Sequence, residues 1–191
     1  SPMAAAILAG ETETGVSIMR MDALMDHGPV YTAVKAPIHP EDTTPSLSER
    51  LSALGAKLLL QTLHELVKNP SLPAQEQNHT EATIVRRFTK EDGLLDWNKS
   101  AKTLACAVRA YHPWPGTYTI IDGKRLKILA STVGPTVDDA PGTQLIINNL
   151  PAIACGEQTS LILQHVQPEG GSPMDGKTFL RGRPEWGKSH D

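Results

Sequence analysis

The sequence predicts an incomplete α/β unit followed by a small, barrel-like all-β unit, and three features predict it. Through Asn69-Pro70 the chain reads as a helix, a strand pair and a long amphipathic helix. Residues 70–83 (PSLPAQEQNHTEAT) are polar and aperiodic, as a surface linker is. After Pro113-Trp114-Pro115-Gly116, short β-branched runs recur at the spacing of a small barrel.

Residues 1–8 (SPMAAAIL) open a helix, with Ser1 as its cap and Pro2 in the first turn, and Gly10 closes it. Residues 14–21 and 30–38 alternate apolar and polar side chains around a Gly28-Pro29 turn, which is the pattern of a half-buried strand pair. Residues 46–68 place Leu47, Leu51, Leu54, Leu58, Leu63 and Leu66 near helical spacing, and Asn69-Pro70 stops the run. A two-stranded sheet with two helices is a marginal core, so an earlier part of the α/β unit is expected to be missing or supplied by another chain. The alternative is dimerisation through the exposed sheet edge. Residues 100–111 read as a short helix with Leu104, Ala107 and Val108 inward. The runs 117–121, 125–130, 142–147, 153–155 and 161–166 then read as strands.

Aromatic residues make up only 4% of the chain, so its core must rest on Leu, Ile, Val, Ala and Met. Cys106 and Cys155 lie far apart without metal-ligand spacing and read as reduced core thiols. No apolar run approaches the roughly 18 residues a membrane helix needs, so a cytoplasmic protein without a membrane role is expected. The seven histidines include no metal-ligand pair on one helix, and no metal site is expected. Charge is uneven. Through residue 82 there are five Lys and Arg against ten Asp and Glu, and beyond it thirteen against eleven. A polyanion would bind the second half if either, although so small a balance is equally that of an ordinary solvated surface.

Asp26 stands in a tight loop between the paired strands, close to Gly28 and Pro29. A loop carboxylate on a rigid scaffold suits catalysis, whereas the same residue near glycine is also a common turn former. The stretch from Gly10 to Tyr31 (GETETGVSIMRMDALMDHGPVY) resembles the folate-dependent formyltransferases, with their G-x-x-x-T-G-V run, strand and loop ending D-x-G. The stretch from Phe88 to Leu129 resembles the start of the carboxy-terminal domain in the methionyl-tRNA branch of that family. Asp96-Trp97, Arg109-Ala110 and Pro113 to Gly116 carry that match, and APGTQLI and FLRGR extend it.

The resemblance implies the carboxy-terminal remnant of a Rossmann-like formyltransferase domain (residues 1–69), a linker (70–83) and an OB-like β-barrel that binds tRNA (84–191). It implies transfer of a formyl group from 10-formyltetrahydrofolate to the amino group of initiator Met-tRNA. Asp26 is then the catalytic carboxylate, and the backbone of Ala23, Leu24, Met25 and Asp26 lines the pterin pocket. The family's catalytic Asn and His belong upstream of the match, so this chain is expected to be inactive alone, with His27 an ordinary loop side chain. Arg86, Arg87, Lys90, Lys124, Arg125 and Lys127 are candidate tRNA phosphate contacts, each weighed against plain solvation. Trp97, Trp114 and Tyr118 are possible stacking platforms, with Trp97 and Trp114 favoured as braces between barrel and helix. The competing readings are a sugar-nucleotide formyltransferase, the hydrolase part of a formyltetrahydrofolate dehydrogenase, and a non-catalytic tRNA-binding fragment. Monomer and edge-strand dimer both remain open.

Overall fold

The computed structural model describes residues 1–188, so the last three residues of the expected second unit lie outside it. Helix α1 (Pro2–Ala9) has Pro2 in its first turn as expected, but Ser1 makes no side-chain capping bond. The helix ends where Gly10 turns left-handed at φ 73°, a conformation glycine adopts without a Cβ penalty. Strands β1 (Glu13–Met19) and β2 (Val30–Pro37) pair antiparallel, with one slip between Ile18 and Met19.

Helix α2 (Thr44–Lys68) starts earlier than its leucine pattern suggests, because Thr43 and Ser46 form a reciprocal capping box. Leu47 and Leu51 are fully inside, whereas Leu63 is 47% exposed and Leu59, Leu60 and Val67 also face outward. The reason is direction: Thr62, 2% exposed, continues the buried face of Leu47 and Leu51, whereas Leu59, Leu60, Leu63 and Val67 fall on the other side of the helix. A second apolar stripe thus faces outward.

Helix α3 (Ala101–Ala110) precedes strands β3 (Thr117–Ile121), β4 (Lys124–Val133), β5 (Gln144–Ile147), β6 (Leu150–Cys155), β7 (Thr159–Pro168) and β8 (Met174–Asp175). These form one antiparallel sheet in the order β3-β4-β7-β6-β5, with β8 on β7. Among the described residues β3 and β5 do not pair, so hydrogen bonding leaves the sheet open rather than closed into the expected barrel. Register shifts at Ile128/Ala130 and Ala130/Ser131 break the pairing of β4 with β7, the kind of irregularity that bends and twists a strand. Helix α4 (Gly176–Arg181), capped by the Asp175 carboxylate, was not foreseen. Six residues are too few to show a helical period.

The core is continuous across the expected linker. Ile7, Leu47 and Leu51 belong to the same buried cluster as Leu104, Leu126, Leu161 and Phe179. Polar contacts tie the halves as well. Thr44 Oγ1 donates to the Ala110 carbonyl at 2.7 Å, and Arg109 donates to the Asp42 carbonyl at 2.9 Å. The buried Asp42 carboxylate accepts from Arg50 at 2.8 and 2.6 Å, from the His39 amide at 2.7 Å and from Ser46 at 3.0 Å. The Arg50 guanidinium, above all, holds this carboxyl well below the usual carboxylate range. Both cysteines are buried and free, and burial pushes the Cys155 thiol up to about 11. No described helix is long and apolar enough to cross a membrane.

Candidate functional site

The β1–β2 connection is a closed mouth with an open tip. The Arg20 amide donates to the Pro29 carbonyl at 2.9 Å, and Gly28 packs so tightly that a Cβ there would meet the Arg20 carbonyl oxygen at 1.8 Å. This close approach, rather than a special φ, requires the glycine. Within the loop the Asp22 carboxylate accepts from the Leu24 amide at 2.9 Å and pairs with His27 Nδ1 at 2.7 Å. The His27 contact, above all, lowers the Asp22 carboxyl from its ordinary value. Asp26 sits at φ 53°, a left-handed backbone that costs most side chains and that Asp tolerates better than most. Its side chain faces solvent beside two outward apolar residues, Leu24 at 62% and Met25 at 91% exposure.

The expected linker takes part in this site, which composition did not reveal. Gln75 and Val30 exchange both backbone hydrogen bonds at 2.8 Å. The Gln77 side-chain amide then donates to the carbonyls of Asp26 (3.0 Å) and Gly28 (2.7 Å). His79 stacks on His27 with ring centroids 3.8 Å apart and planes 3° apart. A segment without periodicity thus straps the loop that carries Asp26. Isolated side-chain bonds to backbone carbonyls leave no periodic trace, so the pattern gave no warning of them.

The six basic candidates divide into separate places. Arg86 donates to Asp92, at 2.8 Å from one guanidinium nitrogen, which holds the Asp92 carboxyl well below its usual range. Strand alternation separates the cluster 124–127, because Leu126 and Ile128 point into the core. Arg125 and Lys127 therefore share the outer face and line one cavity with Lys90, whereas Lys124 borders a different hollow with Phe179 and Arg183. Arg87 is exposed and lines neither. The tryptophans also differ from expectation. Trp97 is a brace, donating Nε1–H to Thr119 Oγ1 at 3.0 Å, but Trp114 is 58% exposed. A further cleft of about 610 Å³ lies between the halves, bordered by Gly10, His39, Lys102, Cys106, Arg109 and Ser131.

The chain belongs to the formyl transferases: residues 87–184 match the family's C-terminal domain, and residues 1–63 match its formyl transferase domain. Curated relatives narrow the likeness. A methionyl-tRNA formyltransferase from Roseiflexus sp. is 39% identical over 95% of this chain and 56% of its own length. One from Burkholderia mallei is also 39% identical, over 96% of this chain and 57% of its own length. The chain thus spans a little over half the length of the curated relatives it matches. Among solved structures, HypX from Aquifex aeolicus in complex with tetrahydrofolic acid superposes with a TM-score of 0.67 at 18% identity. That match covers 93% of this chain and 32% of HypX. An N-formyltransferase from Helicobacter canadensis, complexed with folinic acid and dTDP-3-aminofucose, gives 0.66 at 18% identity, covering 84% and 59%. A methionyl-tRNA formyltransferase from Clostridium thermocellum gives 0.52 at 17% identity, covering 69% and 56%. At such identities the structures support the fold alone.

Proposed function

We propose that this chain is part of a methionyl-tRNA formyltransferase, which moves the formyl group of 10-formyltetrahydrofolate to the amino group of initiator Met-tRNA. The observation that carries the reading is Asp26. It is the one family catalytic residue matched in this sequence, and it stands at a left-handed backbone position on a loop pinned from two sides. Unusual backbone held by surrounding structure is a pointer to function. The relatives at about 39% identity bear the methionyl-tRNA name, which favours this substrate over the sugar nucleotides of structural neighbours near 18%.

The chemistry assigns Asp26 a supporting part. When bound, the formyl folate supplies an electrophilic one-carbon unit, and attack by the amine generates an oxyanion. In the family an Asn and a His stabilise that charge and the carboxylate holds the His and assists proton movement. The loop suits a pterin: Leu24 and Met25 offer exposed apolar side chains beside the Ala23 to Asp26 backbone. We read residues 1–69 as the catalytic-domain portion, 70–83 as the connecting strap and 84–191 as an OB-like tRNA-binding unit. The irregular pairing of β4 supports the last reading, since irregular strands can wrap a sheet toward a barrel. Lys90, Arg125 and Lys127 are the cations best grouped for phosphate. A monomer or an edge-strand dimer in the cytoplasm fits this role.

The test is a formyl-transfer assay with Met-tRNA and 10-formyltetrahydrofolate. The 191-residue chain alone is expected to bind tRNA with a steep salt dependence and to give no turnover. Losing one oxyanion donor lowers rate by about 10²-fold or more, and this sequence matches neither the Asn nor the His. Full-rate turnover by this chain would overturn the need for the Asn and His, whereas tRNA binding that is absent or indifferent to salt would overturn the assignment.

A further inference from the structure

We propose that the cavity beside Trp114 is a stacking pocket for a single unpaired nucleotide of an RNA. The inference rests on the reading of this half as an RNA-binding unit and assigns it a specific mode of contact. Of the three tryptophans, Trp186 is 3% exposed and donates to the Leu145 carbonyl at 2.9 Å, and Trp97 is bonded to Thr119. Trp114 alone presents its ring outward. It does so from a firm base: the Gly116 amide closes the turn onto the Tyr111 carbonyl at 2.9 Å, and the buried Tyr111 is packed edge-on by Phe88 at 5.1 Å. An exposed indole on a rigid turn is a surface prepared for a planar partner.

The surroundings say which partner. Trp114, Tyr118, Lys90, Arg125, Lys127 and Gln167 line a cavity of about 400 Å³. Tyr118 and Lys127 are directly opposite in the β3–β4 register, and Lys127 is opposite Gln167 on β7. The Arg125 guanidinium lies 4.1 Å from the centre of the Tyr118 ring. Among the described residues none of Lys90, Arg125 and Lys127 is in an ion pair, and the nearby Glu169 carboxylate accepts from the Arg125 backbone amide. The Trp114 face beside cations in no ion pair, with a Gln167 side chain whose nitrogen donates to the Gly171 carbonyl at 2.9 Å and whose oxygen can accept from a base edge, suits a nucleobase and its phosphates. A cavity of this volume suits one small planar ligand rather than a longer stretch of chain. A duplex keeps its bases stacked within itself and can offer this cavity only its phosphates.

The experiment titrates the 191-residue chain with a single-stranded hexaribonucleotide and with a duplex containing the same strand, at low salt. Tryptophan fluorescence and the anisotropy of labelled RNA are both followed. The single strand is expected to quench the emission, and Trp114→Ala to abolish the quench and weaken single-strand binding on the order of ten-fold. Trp114→Phe is expected to restore most of the affinity, and duplex binding to be unchanged by either substitution. Equal single-strand binding by parent and Trp114→Ala, with duplex still bound, overturns the stacking pocket while leaving the RNA-binding reading intact. Failure of both RNAs to bind the folded chain overturns both. Displacement of the single strand by an equal concentration of a poly-glutamate peptide, with the same quench, also overturns it in favour of a general acidic ligand.

Discussion

Gly28→Ala tests whether the Asp26 loop is held by packing at its mouth. The new methyl would stand 1.8 Å from the Arg20 carbonyl oxygen, where real Cβ contacts are not nearer than 3.0 Å, so the two chain segments must part by about 1 Å or more. That movement removes the 2.9 Å bond from the Arg20 amide to the Pro29 carbonyl and the 2.7 Å bond from Gln77 to the Gly28 carbonyl. At about 1 kcal/mol for each net hydrogen bond, the expected loss is about 2 kcal/mol. Urea unfolding followed by circular dichroism reads the stability, and amide exchange over residues 19–30 reads the loop. The midpoint should fall with little change in slope, and exchange should accelerate in the loop before the core. A stability change below about 0.5 kcal/mol together with parent-like exchange would refute the reasoning. Gln77→Ala removes the strap without the clash and should accelerate exchange at the same amides, with a smaller loss of stability.

Other outcomes follow from the core and the ion pairs. Leu47→Ala, at a fully buried position on α2, should cost about 2–5 kcal/mol by denaturant unfolding, whereas Leu60→Ala on the exposed flank should cost little. The Asp42 carboxyl titrates lower folded than unfolded, so its contribution is present above about pH 4, the unfolded value, and is lost as pH falls through the folded value. Asp42→Asn should therefore destabilise the chain at pH 7 and flatten its stability profile below about pH 4, measured by thermal unfolding across pH. Cys155, buried with its thiol raised to about 11, should resist a thiol reagent in the native chain and react on unfolding, read by absorbance.

The sequence by itself determined most of the elements and singled out Asp26 as the candidate carboxylate. Strand alternation located β1 and β2 to within two residues, and β3 was read at its true bounds because Pro113 to Gly116 and Asp122-Gly123 punctuate it. Asp26 was legible because a motif of fixed spacing needs no tertiary information. Tertiary structure alone decided four matters. Helix α2 buries Thr62 and exposes Leu63, because which of its apolar faces is covered depends on where its neighbours pack and not on composition. The two halves share one core, because α1 packs on α3 across nearly a hundred residues of chain. The aperiodic stretch 70–83 straps the site, because Gln77 acts through two backbone carbonyls that only the fold brings within 3.0 Å. Last, Trp114 is exposed and Trp97 is held by Thr119. The same residue type is held or left exposed according to whether a neighbouring strand offers its indole a hydrogen-bond acceptor.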